Sequence, residues 1–181
     1  MRKALFLDRD GTINEEVGFL HEVEKIRILE GVVELIKKAR EKGYLVIVVS
    51  NQSGVGRGYF ASQEVEKVNQ SIKDILHRKG AEIDAFYFCP HSPRDDCSCR
   101  KPMPGLFLQA AEEWDIDLAS SLCVGDRVRD VEAGMKAGIK QGFLLLGDEE
   151  EKEKLDNLLL AKEPGARIEV IKSLREILPA L

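Results

Sequence analysis

Short apolar runs alternate along this chain with stretches in which apolar residues recur every three or four positions. Lys3 to Asp8, with the apolar run Ala4-Leu5-Phe6-Leu7 between its charged ends, predicts a strand, and Tyr44 to Val49, rich in β-branched side chains, predicts a second. Between them, Val32, Leu35, Ile36 and Ala39 fall on one face of a predicted helix over 31–42, with Gly43 where a helix would stop. Ser62 is placed to cap a longer helix whose apolar face is Val65, Val68, Ile72, Ile75 and Leu76 and which ends at Gly80. The pattern then predicts a strand from Ile83 to Phe88, a helix over 105–114, a strand from Ser121 to Val124, a helix over 130–137 and a strand from Gly142 to Leu146. A charged helix over 149–162, an edge strand over 167–171 and a short terminal helix complete the list. Near-continuous apolar strands separated by helices predict an α/β fold: a parallel sheet with helices on both faces.

Composition adds bounds. The chain has 181 residues, 44% hydrophobic and 33% charged, enough for one sizeable core, and no repeat or linker divides it; a single domain over 1–181 is expected. The net charge of -5 provides no general attraction for nucleic acid or anionic lipid. No apolar run approaches the roughly 20 residues of a spanning helix, and the run after Met1-Arg2-Lys3 is too short for a signal peptide. A cytoplasmic, monomeric protein is the expectation.

In open α/β sheets ligands bind beyond the carboxyl ends of the strands. Four polar clusters fall at such ends: Asp8 with Asp10, Ser50-Asn51-Gln52, Arg100-Lys101, and Asp126 with Asp130. A lone Asp or Ser-Asn after a strand is ordinarily a turn or a cap. Four converging on one mouth imply a site. Clustered aspartates repel unless a cation joins them, and hard oxygen ligands in small number suit Mg²⁺, which also accepts phosphate oxygens. Lys101 would add positive potential for a phosphoryl group. Gly54-Val55-Gly56-Arg57-Gly58 begins like a dinucleotide fingerprint, but Tyr59 stands where the third glycine belongs, so it reads as a flexible rim loop.

"DRDGT", a strand-terminal Ser-Asn, a downstream Lys and "GDRVRD" together resemble the four motifs of the haloacid dehalogenase (HAD) superfamily of phosphatases. The resemblance covers residues 8 to 130 by motif and nearly the whole chain by strand pattern, and implies a HAD-like Rossmannoid sheet. It implies that Asp8 is a nucleophile forming an aspartyl-phosphate, and that Asp10 is first the general acid and then the base. Covalent catalysis divides one difficult step into two, and a second carboxyl can serve both proton transfers. By the same resemblance Asp8, the backbone carbonyl of Asp10 and Asp126 hold Mg²⁺, Asp130 binds it through water or braces Lys101, and Ser50 and Asn51 hold phosphoryl oxygens. As a helix N-cap, Asp130 would need no catalytic role.

"CPHSPRDDCSCRKP" carries the second signal. Cys89, His91, Cys97 and Cys99 offer four ligands within eleven residues, enough for a closed structural Zn²⁺ site over 89–99 that would aim Arg100 and Lys101. Within the superfamily such a loop resembles two subgroups of small phosphatases with no large cap domain, those acting on heptose 1,7-bisphosphate in bacterial heptose biosynthesis and those acting on histidinol phosphate. "FLDRDGTIN", "SNQSGVGRG" and "CSCRKPMPG" look more like the heptose subgroup, whereas the five residues between His91 and Cys97 match the shorter histidinol loop. The heptose resemblance implies that Arg57 and Arg100 contact the sugar or its second phosphate, a task suited to the planar guanidinium fork. The partner is thus a small phosphorylated metabolite, with neither nucleic acid nor membrane. About twenty residues separate Asp10 from Gly31, too few for a cap, so rim loops 14–22 and 53–60 would exclude water. A non-catalytic phosphate binder is the other class to weigh, though two carboxylates facing an anion would serve it poorly. His21 and His77 read as surface or packing residues, and Trp114 as core.

Overall fold

A computed structural model describes residues 1–145, 149–161 and 165–181. Six strands form one parallel sheet: β1 (Lys3–Leu7), β2 (Tyr44–Asn51), β3 (Ala85–Cys89), β4 (Leu122–Gly125), β5 (Gln141–Leu145) and β6 (Arg167–Ile171). Their spatial order is β3-β2-β1-β4-β5-β6. The order reverses between β1 and β4, and Leu5, Phe6 and Leu7 pair there with Leu122, Cys123 and Val124. That reversal opens a crevice beyond the strand ends.

Side chains alternate across the sheet, as strand geometry requires. Leu5, Leu7, Val46 and Val48 pack against α1 (Val32–Glu41), α2 (Ser62–Arg78) and the terminal 3₁₀ segment Leu174–Ala180. Ala4, Phe6, Ile47 and Val49 face α3 (Gly105–Trp114), α4 (Val128–Ala137) and Leu155 of α5 (Glu149–Ala161). Both faces of β1 and β2 are thereby buried, which is why they read as unbroken apolar runs.

Differences from the expected elements have local causes. Ser62 does not cap α2; the cap is Ala61, whose amide donates to the Glu64 carboxylate at 2.6 Å. The third strand begins at Ala85 instead of Ile83, because Asp84 engages Val46 through both its amide and its carboxylate. α4 begins at Val128, two residues before Asp130. The terminal helix is 3₁₀, with Pro179 inside it. Leu146 and Lys162, the expected ends of a strand and a helix, lie outside the described residues. Among the described residues no helix is long and apolar enough to cross a membrane.

Candidate active site

Asp8 follows the last residue of β1, and its amide donates to the Val124 carbonyl, so the chain leaves the sheet at the switch point. Gly11 turns it at φ +86°, and a Cβ there would stand 2.2 Å from an Asp126 carboxylate oxygen. Only glycine permits both the turn and the approach of Asp126. From the other side, Gly125 ends β4 with no room for a side chain, since Asp130 packs where its Cβ would be. The two glycines let three carboxylates converge: Asp8, Asp126 and Asp130 offer ligand oxygens within 4.8 Å of one another.

Lys101 crosses this cluster. Its Nζ lies 2.7 Å from Asp8 Oδ1, 2.7 Å from Asp130 Oδ1 and 2.7 Å from the Val49 carbonyl, and only 2% of the side chain is exposed. Burial alone would lower its pKa, but Asp130 and Asp8 outweigh it and hold the ammonium above its usual range. Burial pushes the Asp8 carboxyl well up, with Asp130 and Asp126 adding to it and Lys101 opposing. Burial and then Asp130 raise Asp126 to about 6. Lys101 between Asp8 and Asp130 and Arg127 on Asp126 set two cations against three acids, which leaves an excess of negative charge.

A metal fits the remaining deficit. Asp126 Oδ1 is buried with no hydrogen-bond partner, an orphaned hard ligand facing two further carboxylates. Asp130 is the third residue of α4; its Oδ2 accepts the Arg127 amide at 3.0 Å while Oδ1 braces Lys101. The capping function and the bracing of Lys101 are therefore both present in one side chain.

Asp10 sits among donors. It accepts from Arg9 Nε and Nη2, from Asn14 Nδ2 at 2.9 Å and from Gln52 Nε2 at 2.8 Å. Arg9 is wholly buried and also donates to Asn69 Oδ1, Gln52 Oε1 and the Leu20 carbonyl. The sequence pattern places Gln52 in the cluster after β2 but gives it no role, and Arg9, Asn14 and Asn69 are not among its candidate site residues. One signal was available: an Arg between two aspartates is a cation placed one residue from each.

Ser50 and Asn51 stand differently from each other. Ser50 is buried and hydrogen-bonded at 3.3 Å by Gln52, which folds back over it towards Asp10 and lines the mouth in its place. Asn51 clamps the Lys101 peptide, donating to its carbonyl at 3.1 Å and accepting from its amide at 2.9 Å. Both polar ends of Asn51 are engaged with that loop, so the side chain orients Lys101.

A cavity of about 400 Å³ opens above these groups, lined by Asp8, Asp10, Asp126, Lys101 and an outer ring that includes Arg57, Arg100, Arg127 and Arg129. Arg57 and Arg100 were legible in the sequence as candidates; Arg127 and Arg129, in "GDRVRD", were not singled out. The loop 53–60 is closed on itself, with Arg57 and Tyr59 amides bonded to Ser53 and Gly54 carbonyls. It is tied to the neighbouring cysteine loop by the Gly56 amide on Pro90 O at 2.8 Å. It is thus a hydrogen-bonded turn, not the flexible segment expected. Phe19 meets Tyr59 edge-on at 5.1 Å and His21 stacks on Phe60 at 4.9 Å, joining the two rim loops.

Cys89, His91, Cys97 and Cys99 also converge within 4.8 Å. The Cys89 sulfur lies 3.8 Å from that of Cys97, the tetrahedral edge that roughly 2.3 Å Zn–S bonds would produce, and 2.8 Å from that of Cys99, an edge that must open for a metal to sit among the four. His91 Nδ1 lies 3.4 and 3.2 Å from Cys89 and Cys99 sulfurs. No disulfide forms among them. His77 is exposed and paired with Glu82, and Trp114 is half-buried, with its indole N–H on Tyr87 and the Arg2 guanidinium over its ring.

Comparison with known proteins places the chain in a family. Residues 2–138 match the family model described as haloacid dehalogenase-like hydrolase. A D-glycero-beta-D-manno-heptose-1,7-bisphosphate 7-phosphatase of Helicobacter pylori is 42% identical over 145 residues, 80% of this chain and 84% of that protein. A D-glycero-alpha-D-manno-heptose-1,7-bisphosphate 7-phosphatase of Burkholderia mallei is 42% identical over 150 residues, 79% of each chain. The crystal structure of D,D-heptose 1,7-bisphosphate phosphatase from B. bronchiseptica, complexed with magnesium and phosphate, superposes with a TM-score of 0.83 at 30% identity over 98% of this chain and 97% of that one. The chain belongs to the haloacid dehalogenase-like hydrolases.

Proposed function

We propose that the chain is a Mg²⁺-dependent phosphomonoesterase that works through a phosphoryl-Asp8 intermediate and removes the 7-phosphate of D-glycero-D-manno-heptose 1,7-bisphosphate. The observation that carries this reading is Lys101, buried between Asp8 and Asp130 beneath an open cationic mouth. The relatives' names support the substrate, and they include both anomers.

Asp8, the backbone carbonyl of Asp10 and Asp126 would hold the magnesium, which supplies charge neutralisation between carboxylate and phosphoryl oxygens when bound. Lys101 holds one oxygen of Asp8 and leaves the other to attack phosphorus. The new Asp8–phosphorus bond forms as the ester oxygen leaves, and Asp10 delivers a proton to that oxygen. A water then attacks the phosphorus, Asp10 takes its proton, and the Asp8 bond breaks to release inorganic phosphate. Arg9, Asn14 and Gln52 receive Asp10 as a carboxylate between the two transfers. Ser50 lies one layer beneath, its hydroxyl available to a phosphoryl oxygen once Gln52 moves aside. Zn²⁺ on Cys89, His91, Cys97 and Cys99 would brace the loop that carries Arg100 and Lys101.

Phosphate release from heptose 1,7-bisphosphate and from histidinol phosphate, each with Mg²⁺ and with Asp8→Asn as the blank, tests the reading. Turnover of the bisphosphate is expected, with none in the variant. Turnover of histidinol phosphate alone would overturn the substrate, and the absence of Asp8-dependent release from either would overturn the phosphatase.

A further inference from the structure

Arg129 stands apart from the other cations of the mouth. It lines the same cavity as Asp8 and Lys101, it is exposed, and among the described residues it makes no hydrogen bond or ion pair. Its neighbour Arg127 pairs with Asp126 and Glu151. Arg57 lies over the Phe19 ring, and Arg100 reaches the His91 carbonyl. The position is also unfavourable for the fold: Arg129 is the second residue of α4, where the helix dipole repels a cation. Folding therefore gives no reason for a cation there.

The outer lining is otherwise one-sided. Three guanidinium groups share one rim in which Glu16 is the one carboxylate outside the aspartate cluster among the described residues, and that side chain is occupied by the Gly18 amide. Such an arrangement is relieved by an anion able to bridge them, and phosphate oxygens match the guanidinium fork in pairs.

We propose that Arg129 is a specificity-determining residue: with Arg57 and Arg100 it forms the rim of the mouth that selects substrates carrying a second phosphate away from the scissile one. The inference rests on the phosphatase reading for its scissile end, but its own content is the partnership of Arg129 with the distal anion.

Binding to a non-turning-over protein separates the two. Calorimetric titration of Asp8→Asn and of Asp8→Asn/Arg129→Gln with heptose 1,7-bisphosphate and with heptose 7-phosphate gives two affinity ratios. The ratio of bisphosphate to monophosphate affinity is expected to fall about tenfold with Arg129→Gln, the loss of one charge-assisted phosphate contact, and to be partly restored by Arg129→Lys. An unchanged ratio, or an equal loss for both ligands, overturns the role of Arg129. If neither heptose ligand binds, the heptose reading fails, and a hexose 1,6-bisphosphate and 6-phosphate pair makes the same comparison. Loss of the ratio in that pair sustains Arg129, whereas no preference for the bisphosphate, or no binding, overturns it.

Discussion

The ammonium of Lys101 stands 2.7 Å from a carboxylate oxygen of Asp8, across a sequence separation of 93 residues. The same nitrogen touches Asp130 at 2.7 Å, so one buried cation joins the end of β1 to the first turn of α4. In the proposed mechanism this arrangement lets the lysine both neutralise Asp8 and fix its direction of attack.

Removing that cation should be costly twice. Lys101→Met leaves Asp8 and Asp130 buried without their partner, and breaking such a pair costs about 3–5 kcal/mol. Denaturant unfolding without Mg²⁺ should show a loss of that order, and kcat should fall by about a thousandfold or more, as for loss of a preorganised charge. Stability near wild type would mean that the two carboxylates find other partners.

Asn51→Ala should act through Lys101. It removes the donor and the acceptor that hold the Lys101 peptide, each worth about 1 kcal/mol. Steady-state kinetics should show a lower kcat with a smaller change in KM, since the nucleophile's partner is misplaced while the arginine rim remains. A change confined to KM would instead identify the side chain as a direct substrate contact.

The acid cluster predicts a pH dependence in Mg²⁺-free buffer. Burial and then the neighbouring Asp130 raise Asp126 to about 6 in the folded chain, above its ordinary 3.8. The folded state therefore binds this proton more tightly, so the contribution is fully present below pH 3.8 and is lost as pH rises through 6. Relative to Asp126→Asn, the wild type should lose on the order of 2–3 kcal/mol over that window. Mg²⁺ should restore stability above pH 6. A flat difference between the two proteins would mean that Asp126 is solvated despite its burial.

Stripping the metal from the cysteine loop should slow catalysis without altering the carboxylates. About one Zn²⁺ per chain should be released by thiol modification, and kcat should fall as residues 89–101 become open to proteolysis, because the loop is too polar to order itself. Added Zn²⁺ should reverse both after reduction. Full activity in the stripped protein would separate the loop from the positioning of Lys101.

Much of this arrangement is visible before folding is considered. The apolar strands announce the parallel sheet because burial on both faces leaves no polar alternation, and Asp8 and Asp126 are legible because charges that end such runs must face an open strand end. The network behind them is not. Arg9 finds Asn69 from α2 and Gln52, just past the end of β2, at separations of 60 and 43 residues, and no local pattern forecasts which buried donors will meet. Asn51 illustrates the same limit: its position after β2 is readable, but the direction of its amide depends on where the Lys101 loop returns. Arg129 was overlooked because an arginine in the first turn of a helix looks like an ordinary solvated charge.

The central claim is that Asp8 carries the phosphoryl group. Rapid-quench mixing with heptose 1,7-bisphosphate and Mg²⁺, followed by mass analysis of the peptide spanning residues 4–14, tests it directly. One transient phosphoryl group on Asp8 is expected, formed before inorganic phosphate appears and missing in Asp8→Asn. Steady phosphate release with no covalent adduct at any time, or an adduct on another residue, would contradict it.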